Sequence, residues 1–389
     1  HSTSRRQRQM CIRDRYREQV KRLVTDYDNY ISLKLAGDDA YLSEKMVGYP
    51  AELDEVYAES FEEQKKEWFS CVGDGIQECR NTWEHKKWNI TDFPEFELAI
   101  TIDRPELYYD FLQKDWTRFC HDYWKNNFLE HHTLSQKRVT RIYIGNQFCH
   151  NLFPRKELLF QVLEKALENN LAVTLAFSYI RNHLLEEIDE LLQELEVWCQ
   201  SREKEAGKDQ EEIIVNDWAM PILLQGKPHL KPVLGVLLNK RRKDVRLPYK
   251  QGIGNHVDSL AENNLNCGFY QDYLKNTFDI QRFEFESCGY KVTIPDGHHS
   301  LHLPFFQTNT SQYCTLYAVC RYGDRGKQKL TENCPRYCNK KVFLYPKHLK
   351  MVGRYNSLFG YDEKILWDEK QLQDYLEQGI ERIVVNVSL

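Results

Sequence analysis

Apolar residues in the middle of the chain follow two spacings in turn. Val139–Gly145, Leu171–Phe177 and Ile213–Val215 are short, largely apolar runs, which are typical of strands buried on both faces. Between them, Phe153–Asn170 and Leu184–Trp198 carry leucines at helical spacing. Strands and helices that alternate with short connections predict parallel strands joined by right-handed crossovers.

The later part of the chain is less regular but still rich in strand signals. Strands are predicted at Phe278–Glu286, Lys291–Ile294, Ser300–Phe306, Lys341–Tyr345 and Ile383–Val387, and a helix at Gln371–Gly379. Residues 136–389 then hold about eight strand candidates, which matches the size of a TIM-type barrel. The helical signals between the late strands are weak, so we predict an α/β fold whose barrel is incomplete or distorted.

Residues 16–135 differ in pattern, and we predict that they form a smaller, aromatic-rich α+β domain before the barrel. This region holds five of the eight tryptophans, and Phe96–Ile102 alternates as a strand does. Residues 131–138 are polar and are interpreted as the linker. Residues 1–15 are rich in arginine and resemble translated adapter sequence, so we expect them to be a non-native artefact.

The composition is that of a globular protein without a nucleic-acid footprint. Charged residues make up 29% and apolar residues 41% of the chain, and the formal charge of −5 predicts no binding to DNA. No apolar run reaches the ~18–20 residues of a membrane span, and the sequence opens without a secretory pattern. We therefore expect a cytoplasmic protein whose twelve cysteines are thiols or metal ligands rather than disulfides.

The most informative stretch runs from Cys314 to Cys338, where four cysteines fall within 25 residues. Cys314 and Cys320 form one close pair, and Cys334 and Cys338 form another. The thirteen residues between the pairs contain two glycines and four basic side chains, as in a surface loop that can bring the pairs together. Thiolates in this pattern favour zinc or iron–sulfur chemistry. Inert buried thiols and disulfides are the alternatives.

Polar residues follow several predicted strands, at the edge where parallel α/β folds bind ligands. Asn146–His150 follow the first strand, Asn216 and Asp217 the third, and Gln307–Thr310 a later one. We expect these sets to converge on one rim, which makes Cys149 a candidate metal ligand from a distant part of the chain. Asp217 is a candidate catalytic residue that orients substrate or acts as a base; alternatively, it caps the next helix.

Two further clusters each have two interpretations. His298, His299 and His302 could bind substrate or metal, but the preceding Asp-Gly turn fits a simple hairpin equally well. The basic run Lys240–Lys243 could hold a phosphate or an RNA backbone. It follows a predicted helix at Leu234–Leu238, and a charge run there is more often a solvated helix end.

Four segments resemble, in their order, the collagenase-like peptidase family U-thirty-two, and especially its UbiV-type branch of oxygen-independent ubiquinone biosynthesis. The segments are RIYIGNQFCHNLFPRKEL from Arg141, EEIIVNDWAMPILL from Glu211, HSLHLPFFQTNTSQYC from His299 and CPRYC from Cys334. The resemblance covers residues 139–389 and leaves out the aromatic N-terminal region.

This resemblance implies a barrel with a 4Fe–4S cluster, held by one cysteine after the first strand and three in the later stretch. Cys149, Cys320, Cys334 and Cys338 fit that spacing best, with Cys314 as the reserve ligand. Other branches use a pair spaced like Cys314 and Cys320, so the choice between Cys149 and Cys314 stays open. The resemblance also implies redox or hydroxylation chemistry with a protein partner, on a small-molecule, peptide or RNA-base substrate.

Two other functions stay open at this point. Some members of the family are peptidases, but neither G-x-S-x-G nor H-E-x-x-H occurs in this sequence. A binding scaffold with zinc in a structural four-cysteine site is the third possibility.

Overall fold

The computed structural model describes residues 51–52, 61–69, 93–206, 210–245, 260–324, 326–327, 329–331, 333–345 and 349–387. The segment interpreted as an artefact, and most of the region before residue 93, lie outside the described residues. Within them, eight parallel strands form a nearly closed barrel, and five further strands form a smaller separate sheet. The prediction of an α/β fold with a TIM-type barrel is confirmed.

The strands are β1 (Ala51–Glu52), β2 (Glu97–Ile102), β3 (Arg141–Gly145), β4 (Ala172–Ala176), β5 (Glu211–Val215), β6 (Leu230–Leu234), β7 (Glu284–Glu286), β8 (His299–Leu303), β9 (Phe305–Thr310), β10 (Phe343–Leu344), β11 (Met351–Arg354), β12 (Ser357–Tyr361) and β13 (Ile380–Val385). The α-helices are α1 (Phe61–Phe69), α2 (Pro105–Gln113), α3 (Trp116–Asn126), α4 (Lys156–Glu168), α5 (Leu185–Ala206), α6 (Met220–Leu223), α7 (Gly268–Phe278), α8 (Thr315–Tyr322) and α9 (Glu369–Glu377). Around the barrel the strands follow the chain from β2 to β8 and then to β13, which pairs with β2.

Helix α4 shows how the sequence pattern covers the outside of the barrel. Leu159, Val162 and Leu163 recur at helical spacing and are completely buried. The helix ends at Glu168, and Asn170 then takes a positive φ of 53°, a left-handed conformation that asparagine tolerates. No helix among the described residues is both long enough and apolar enough to cross a bilayer.

Strand β2 belongs to the barrel, where it lies between β13 and β3. The boundary predicted at residue 135 assigned it to a separate N-terminal domain, so that boundary cuts through the barrel. The pattern of one short strand does not say which sheet it joins, and only the pairing decides this. Of the later strand predictions, that at Lys291–Ile294 is wrong, because the segment forms no strand. The strand predicted at Lys341–Tyr345 is present as β10, but it belongs to the smaller sheet and not to the barrel.

A charged layer fills the end of the barrel where the strands begin. Arg382 is 2% exposed and donates two hydrogen bonds to the carboxylate of Glu212, at 2.6 and 3.1 Å, and one to Glu97 at 2.6 Å. Arg141 donates to the same two acids. Burial raises the pKa of Glu212, but Arg382 and Arg141 outweigh burial and bring the pKa down to about 2. Each buried charge therefore has a partner, which is the condition for charges inside a core.

The barrel is closed between β6 and β7 largely by side chains. The backbones of the two strands meet at a single bridge, between Leu234 and Phe283. Beyond this bridge, Asn239 and Arg241 donate side-chain hydrogen bonds to main-chain carbonyl oxygens of β7, at 3.0 and 2.7 Å. Residues 239–241, which we call the closing segment, therefore run along β7. Their side chains bond to the β7 backbone in place of the backbone groups of a neighbouring strand.

The smaller sheet stands at the carboxyl end of the barrel. Its strand order is β1-β10-β11-β12-β9, all antiparallel, and β9 begins two residues after β8 ends. The cysteine-rich stretch connects β9 to β10. The smaller sheet thus brings these cysteines to the barrel face where parallel α/β proteins bind ligands.

Candidate functional site

Cys149 lies in the loop after β3 and is buried, with 9% of its surface exposed. The side-chain oxygen of Asn146 accepts the backbone N–H groups of both Phe148 and Cys149 at 2.9 Å, which turns the loop inward. Gly145 precedes this turn with a φ of +108°, and a Cβ there would lie 2.5 Å from the carbonyl oxygen of Ala176. Glycine is therefore the residue that fits this position.

Cys314 caps the start of α8. Its Sγ accepts the backbone N–H of Tyr317 at 3.3 Å and donates to the carbonyl oxygen of Tyr355 at 3.0 Å. Tyr355 is in the turn between β11 and β12 and has a positive φ of 54°. The smaller sheet therefore fixes the position of this thiol.

Cys149, Cys314, Cys334 and Cys338 are electrostatic neighbours of one another, and we call them the thiol cluster. Burial, with repulsion from Cys338 and Cys334, raises the pKa of Cys149 to about 12. Burial also raises the pKa of Cys314, with contributions from the other three. Burial raises the pKa of Cys338 to about 11, and Cys334 contributes to the rise. Thiols from two distant parts of the chain thus meet on one rim.

Cys320 lies outside the thiol cluster. Burial raises its pKa, and its charged neighbour is Lys341 rather than another cysteine. Cys320 is on the last turn of α8, six residues after Cys314, which rotates it by about 240° around a helix. The ligand set implied by the resemblance contained Cys320, whereas the structure gathers Cys314 in its place.

The donor chemistry of the thiol cluster fits a metal centre. Four cysteines are the ligand set of a 4Fe–4S cluster and also of a structural zinc site. Binding of either metal replaces the protons that burial keeps on the free thiols. As they stand, no three His, Cys, Asp or Glu side chains among the described residues are placed to hold a single metal ion.

Two guanidinium groups lie close to the thiol cluster. Arg354 is 7% exposed, its Nε donates to the carbonyl oxygen of Cys338 at 3.2 Å, and its charge opposes the effect of burial on the pKa of that thiol. Arg181 acts in the same direction on the pKa of Cys149, again against the larger effect of burial. A centre with four thiolates is anionic, and these cations would offset its charge.

A cavity of about 720 Å³ opens at the carboxyl ends of β5 and β6. Tyr179 lines it, and the hydroxyl of Tyr179 donates to the carbonyl oxygen of Ser311, three residues before Cys314. Asn216 and Gln307 also line it, and Asn216 donates to the side chain of Gln147 at 3.3 Å. The predicted convergence of the strand-end residues is therefore observed, and the volume is typical of a ligand site.

Asp217 lies at this cavity, but its carboxylate is engaged by the backbone. Oδ1 accepts the N–H groups of Ala219 and Met220 at 3.0 Å, and Oδ2 accepts the N–H of Ile180. Asp217 precedes the N-cap residue Ala219 by two positions, so it holds the start of α6 without being the cap itself, and it ties the β5 loop to the β4 loop.

Sequence reasoning missed the buried pair of Lys243 and Glu286 at the cavity. The Nζ of Lys243 bonds to the carboxylate of Glu286 and donates to the side chain of Gln307 at 3.0 Å. Burial lowers the pKa of Lys243, although Glu286 opposes this. The run of four basic residues was the available signal, but Leu234 ends a strand, and the run lines the cavity instead of ending a solvated helix.

The hairpin interpretation of the three histidines is wrong, because His299 and His302 are in β8, which pairs in parallel with β7 and β13. The histidines are divided between the barrel interior and the surface. His302 bonds to the buried carboxylate of Glu284, and His299 stacks on Phe283 with ring centroids 4.7 Å apart. His298 is exposed and pairs with Glu381. Their contacts are therefore those of structural residues rather than a shared metal site.

No protein-family model, curated protein or solved structure matches this chain.

Proposed function

We propose that this protein binds a 4Fe–4S cluster through Cys149, Cys314, Cys334 and Cys338, and takes part in redox or oxygen-independent hydroxylation chemistry. The observation that carries the proposal is the grouping of these four thiols at the carboxyl end of a barrel. The resemblance of four segments to the U-thirty-two family supports the same choice. We also propose that the protein is located in the cytoplasm and that a partner protein supplies the electrons.

When bound, such a cluster would supply one-electron transfer. The residues of the chain would perform the remaining tasks. Arg354 and Arg181 would offset the negative charge of the thiolates, and the cavity would bind the substrate. Lys243 lines the cavity, and its Nζ bonds to the carboxylate of Glu286. This pair could therefore hold or pass a proton during the reaction.

The local chemistry favours a ligand role for Cys149 over a peptidase nucleophile. A nucleophilic cysteine needs a lowered pKa, whereas burial raises the pKa of Cys149 to about 12. Burial also lowers the pKa of the adjacent His150 to about 4, which makes it a poor proton acceptor near neutral pH. Redox chemistry is therefore the function that we put forward.

The test is the metal content of the full chain after strictly anaerobic purification. We expect about four irons and four acid-labile sulfides per chain, and a visible spectrum that bleaches in air. Cys334→Ser should lose the iron. Cys199→Ser is the control, because Cys199 is a buried cysteine that lies outside the thiol cluster. Zinc alone would favour a scaffold, and a chain without metal would refute the proposal.

A further inference from the structure

The segment from Arg321 to Lys341 has a charge opposite to that of the whole chain. It holds seven basic residues and two acidic ones, a net charge of +5, whereas the full chain has a net charge of −5. The rest of the chain therefore carries −10. A concentration of one sign on a protein that is otherwise of the other sign attracts partners of complementary charge.

Two elements bring basic side chains of this segment together. Arg321 is exposed on the last turn of α8, and Lys340 is exposed directly after the short 3₁₀ helix Tyr337–Asn339. Tyr317 of α8 contacts Tyr337 of the 3₁₀ helix, with ring centroids 6.1 Å apart. The two elements therefore pack against each other, and their cations lie on the same side of the smaller sheet.

The same side of the protein contains two cysteines of the thiol cluster. The backbone N–H of Arg336 donates to the Sγ of Cys334 at 3.4 Å, and Arg336 has a positive φ of 56°. Cys334 is half-buried, whereas Cys338 is 7% exposed. Arg336 thus lies in the turn that holds Cys334 just below the surface. The described basic residues around this turn are called the basic face: Arg321, Arg336, Lys340 and Lys341.

Most of the charge of the basic face is not neutralised within the part of the chain that the structure describes. Arg321, Arg336 and Lys340 form no ion pair there. The acids nearby are engaged with other groups, since Asp324 accepts the backbone N–H of Gly326 at 2.8 Å and Glu106 accepts the side-chain amide of Asn339. These cations are therefore available to the acidic groups of a partner.

Exposed aromatic surface accompanies the charge. Tyr322 is 38% exposed, directly follows Arg321, and contacts Tyr317 edge-on with ring centroids 6.0 Å apart. Tyrosine and arginine are enriched at protein–protein interfaces. An RNA would need positive charge along its whole contact path, whereas the rest of this chain is acidic. The basic face therefore fits a small acidic protein better than a nucleic acid.

We propose that the basic face is the docking surface for an acidic electron-carrier protein. Carboxylates around the redox centre of the carrier would pair with Arg321, Arg336 and Lys340, which brings that centre to the turn of Cys334. The carrier is oxidised by one electron, and the metal centre held by the thiol cluster is reduced. The electron transfer rests on the proposed function, whereas the docking itself needs no metal, so the two proposals fail separately.

The experiment is calorimetric titration of the full chain, purified anaerobically, with two acidic one-electron carriers, a flavodoxin and a 2Fe–2S ferredoxin. At least one should bind at a salt concentration of about 20 mM, and about 200 mM salt should weaken that binding by about tenfold or more, because salt screens exposed charges. A ten-nucleotide uridylate RNA is the third probe. Tighter binding of this RNA than of either carrier would overturn the inference.

Charge reversal locates the surface. Arg321→Glu combined with Lys340→Glu should weaken binding of the carrier by about tenfold or more, because two attractions become repulsions. Lys275→Glu combined with Lys370→Glu changes the net charge equally at exposed positions of α7 and α9, and should leave binding within about twofold. Equal binding by the Arg321 and Lys340 variant and the unaltered chain, or no salt-sensitive binding of either carrier, would overturn the inference.

Reduction kinetics of the iron-loaded protein separate docking from damage to the metal centre. Reduction by the carrier should slow by about tenfold in the variant with reversed charges at Arg321 and Lys340. Reduced methyl viologen, a small cation that needs no docking surface, should reduce both proteins at comparable rates. Equal slowing with both reductants would mean that the substitutions act on the metal centre, and would overturn the inference. A chain that binds the carrier but holds no iron would instead refute the proposed function and leave the docking surface standing.

Discussion

The side-chain amide of Asn356 donates a hydrogen bond to the carbonyl oxygen of Phe148, 2.9 Å away, although the residues are 208 positions apart. Phe148 directly precedes Cys149. The same amide donates to the carbonyl oxygen of Ser311 at 2.7 Å, three residues before Cys314. Asn356 is 7% exposed, so neither bond competes strongly with water. One side chain thus ties together the two loops that bring distant thiols to one rim.

Asn356→Ala should therefore separate the two loops. We expect a loss of about 1–3 kcal/mol in the free energy of unfolding, because two partly buried carbonyl oxygens each lose a donor, although that of Ser311 keeps its bond from Tyr179. Iron bound per chain after anaerobic reconstitution should fall with it. Urea denaturation and iron analysis measure the two effects. Asn169→Ala removes a comparable amide bond at the end of α4, and it should leave the iron content unchanged; equal iron in both variants would contradict the role of Asn356.

The choice between Cys314 and Cys320 gives a second prediction. Because Cys314 lies in the thiol cluster and Cys320 does not, Cys314→Ser should abolish the bound iron and Cys320→Ser should retain it. The two substitutions remove the same atom from the same short stretch, so each is the control for the other. Iron analysis and the visible spectrum of the anaerobic proteins would decide. The reverse result would restore the ligand set that the sequence spacing favours.

The choice between Cys314 and Cys320 shows which part of the site could not be predicted from the sequence. Spacing identified the stretch that carries the thiols, and the strand-end rule added Cys149, because both depend on local order along the chain. Which of two cysteines faces the site depends on the rotation of α8 and on the contact of Cys314 with Tyr355. That contact is set by the turn between β11 and β12, and no local pattern around Cys314 contains it.

The barrel could be predicted for a similar reason, and its details could not. Apolar runs separated by helices specify parallel strands with crossovers, so the class followed from the order of the elements. β2 was assigned to another domain because its partner β13 is at the other end of the chain. The charged residues of β5 look unsuited to a buried strand, yet Glu212 is buried because Arg382, also distant in sequence, neutralises it.

The pair of Glu212 and Arg382 gives a third prediction, about stability at low pH. The pKa of Glu212 is about 2 in the folded protein against 4.5 for an unperturbed glutamate. A lowered folded pKa means that the stabilisation is complete above pH 4.5 and is lost as the pH falls towards 2. The shift corresponds to about 3 kcal/mol. Urea denaturation between pH 5 and pH 2.5 should show this loss in addition to that from other carboxylates.

Glu212→Gln is the matched variant for this measurement. It should be less stable than the unaltered protein at pH 6, by about 3 kcal/mol or more, because Arg382 loses a charged partner. It should also lose the part of the acid dependence that Glu212 contributes. Glu194→Gln removes an exposed ion pair with Lys156 and should cost less than about 1 kcal/mol. Parallel acid profiles for the unaltered protein and Glu212→Gln would show that the pair does not titrate as described.

Lys65 gives a fourth prediction, a rise of stability with pH in the alkaline range. It lies on α1 with 2% exposed, and its Nζ donates to the side-chain oxygen of Asn127 and to the carbonyl oxygen of Val387, at 2.5 Å each. Burial lowers its pKa from 10.5 to about 7. Between these values the unfolded chain binds the proton that the folded chain has released, so stability should rise with pH by up to about 1.4 kcal/mol per unit. Lys65→Met should remove this rise, while Lys66→Met, on the exposed side of the same helix, should keep it. Denaturation midpoints at pH 7.5 and 9.5 measure the difference, and an identical rise in both variants would mean that Lys65 stays protonated through its two acceptors.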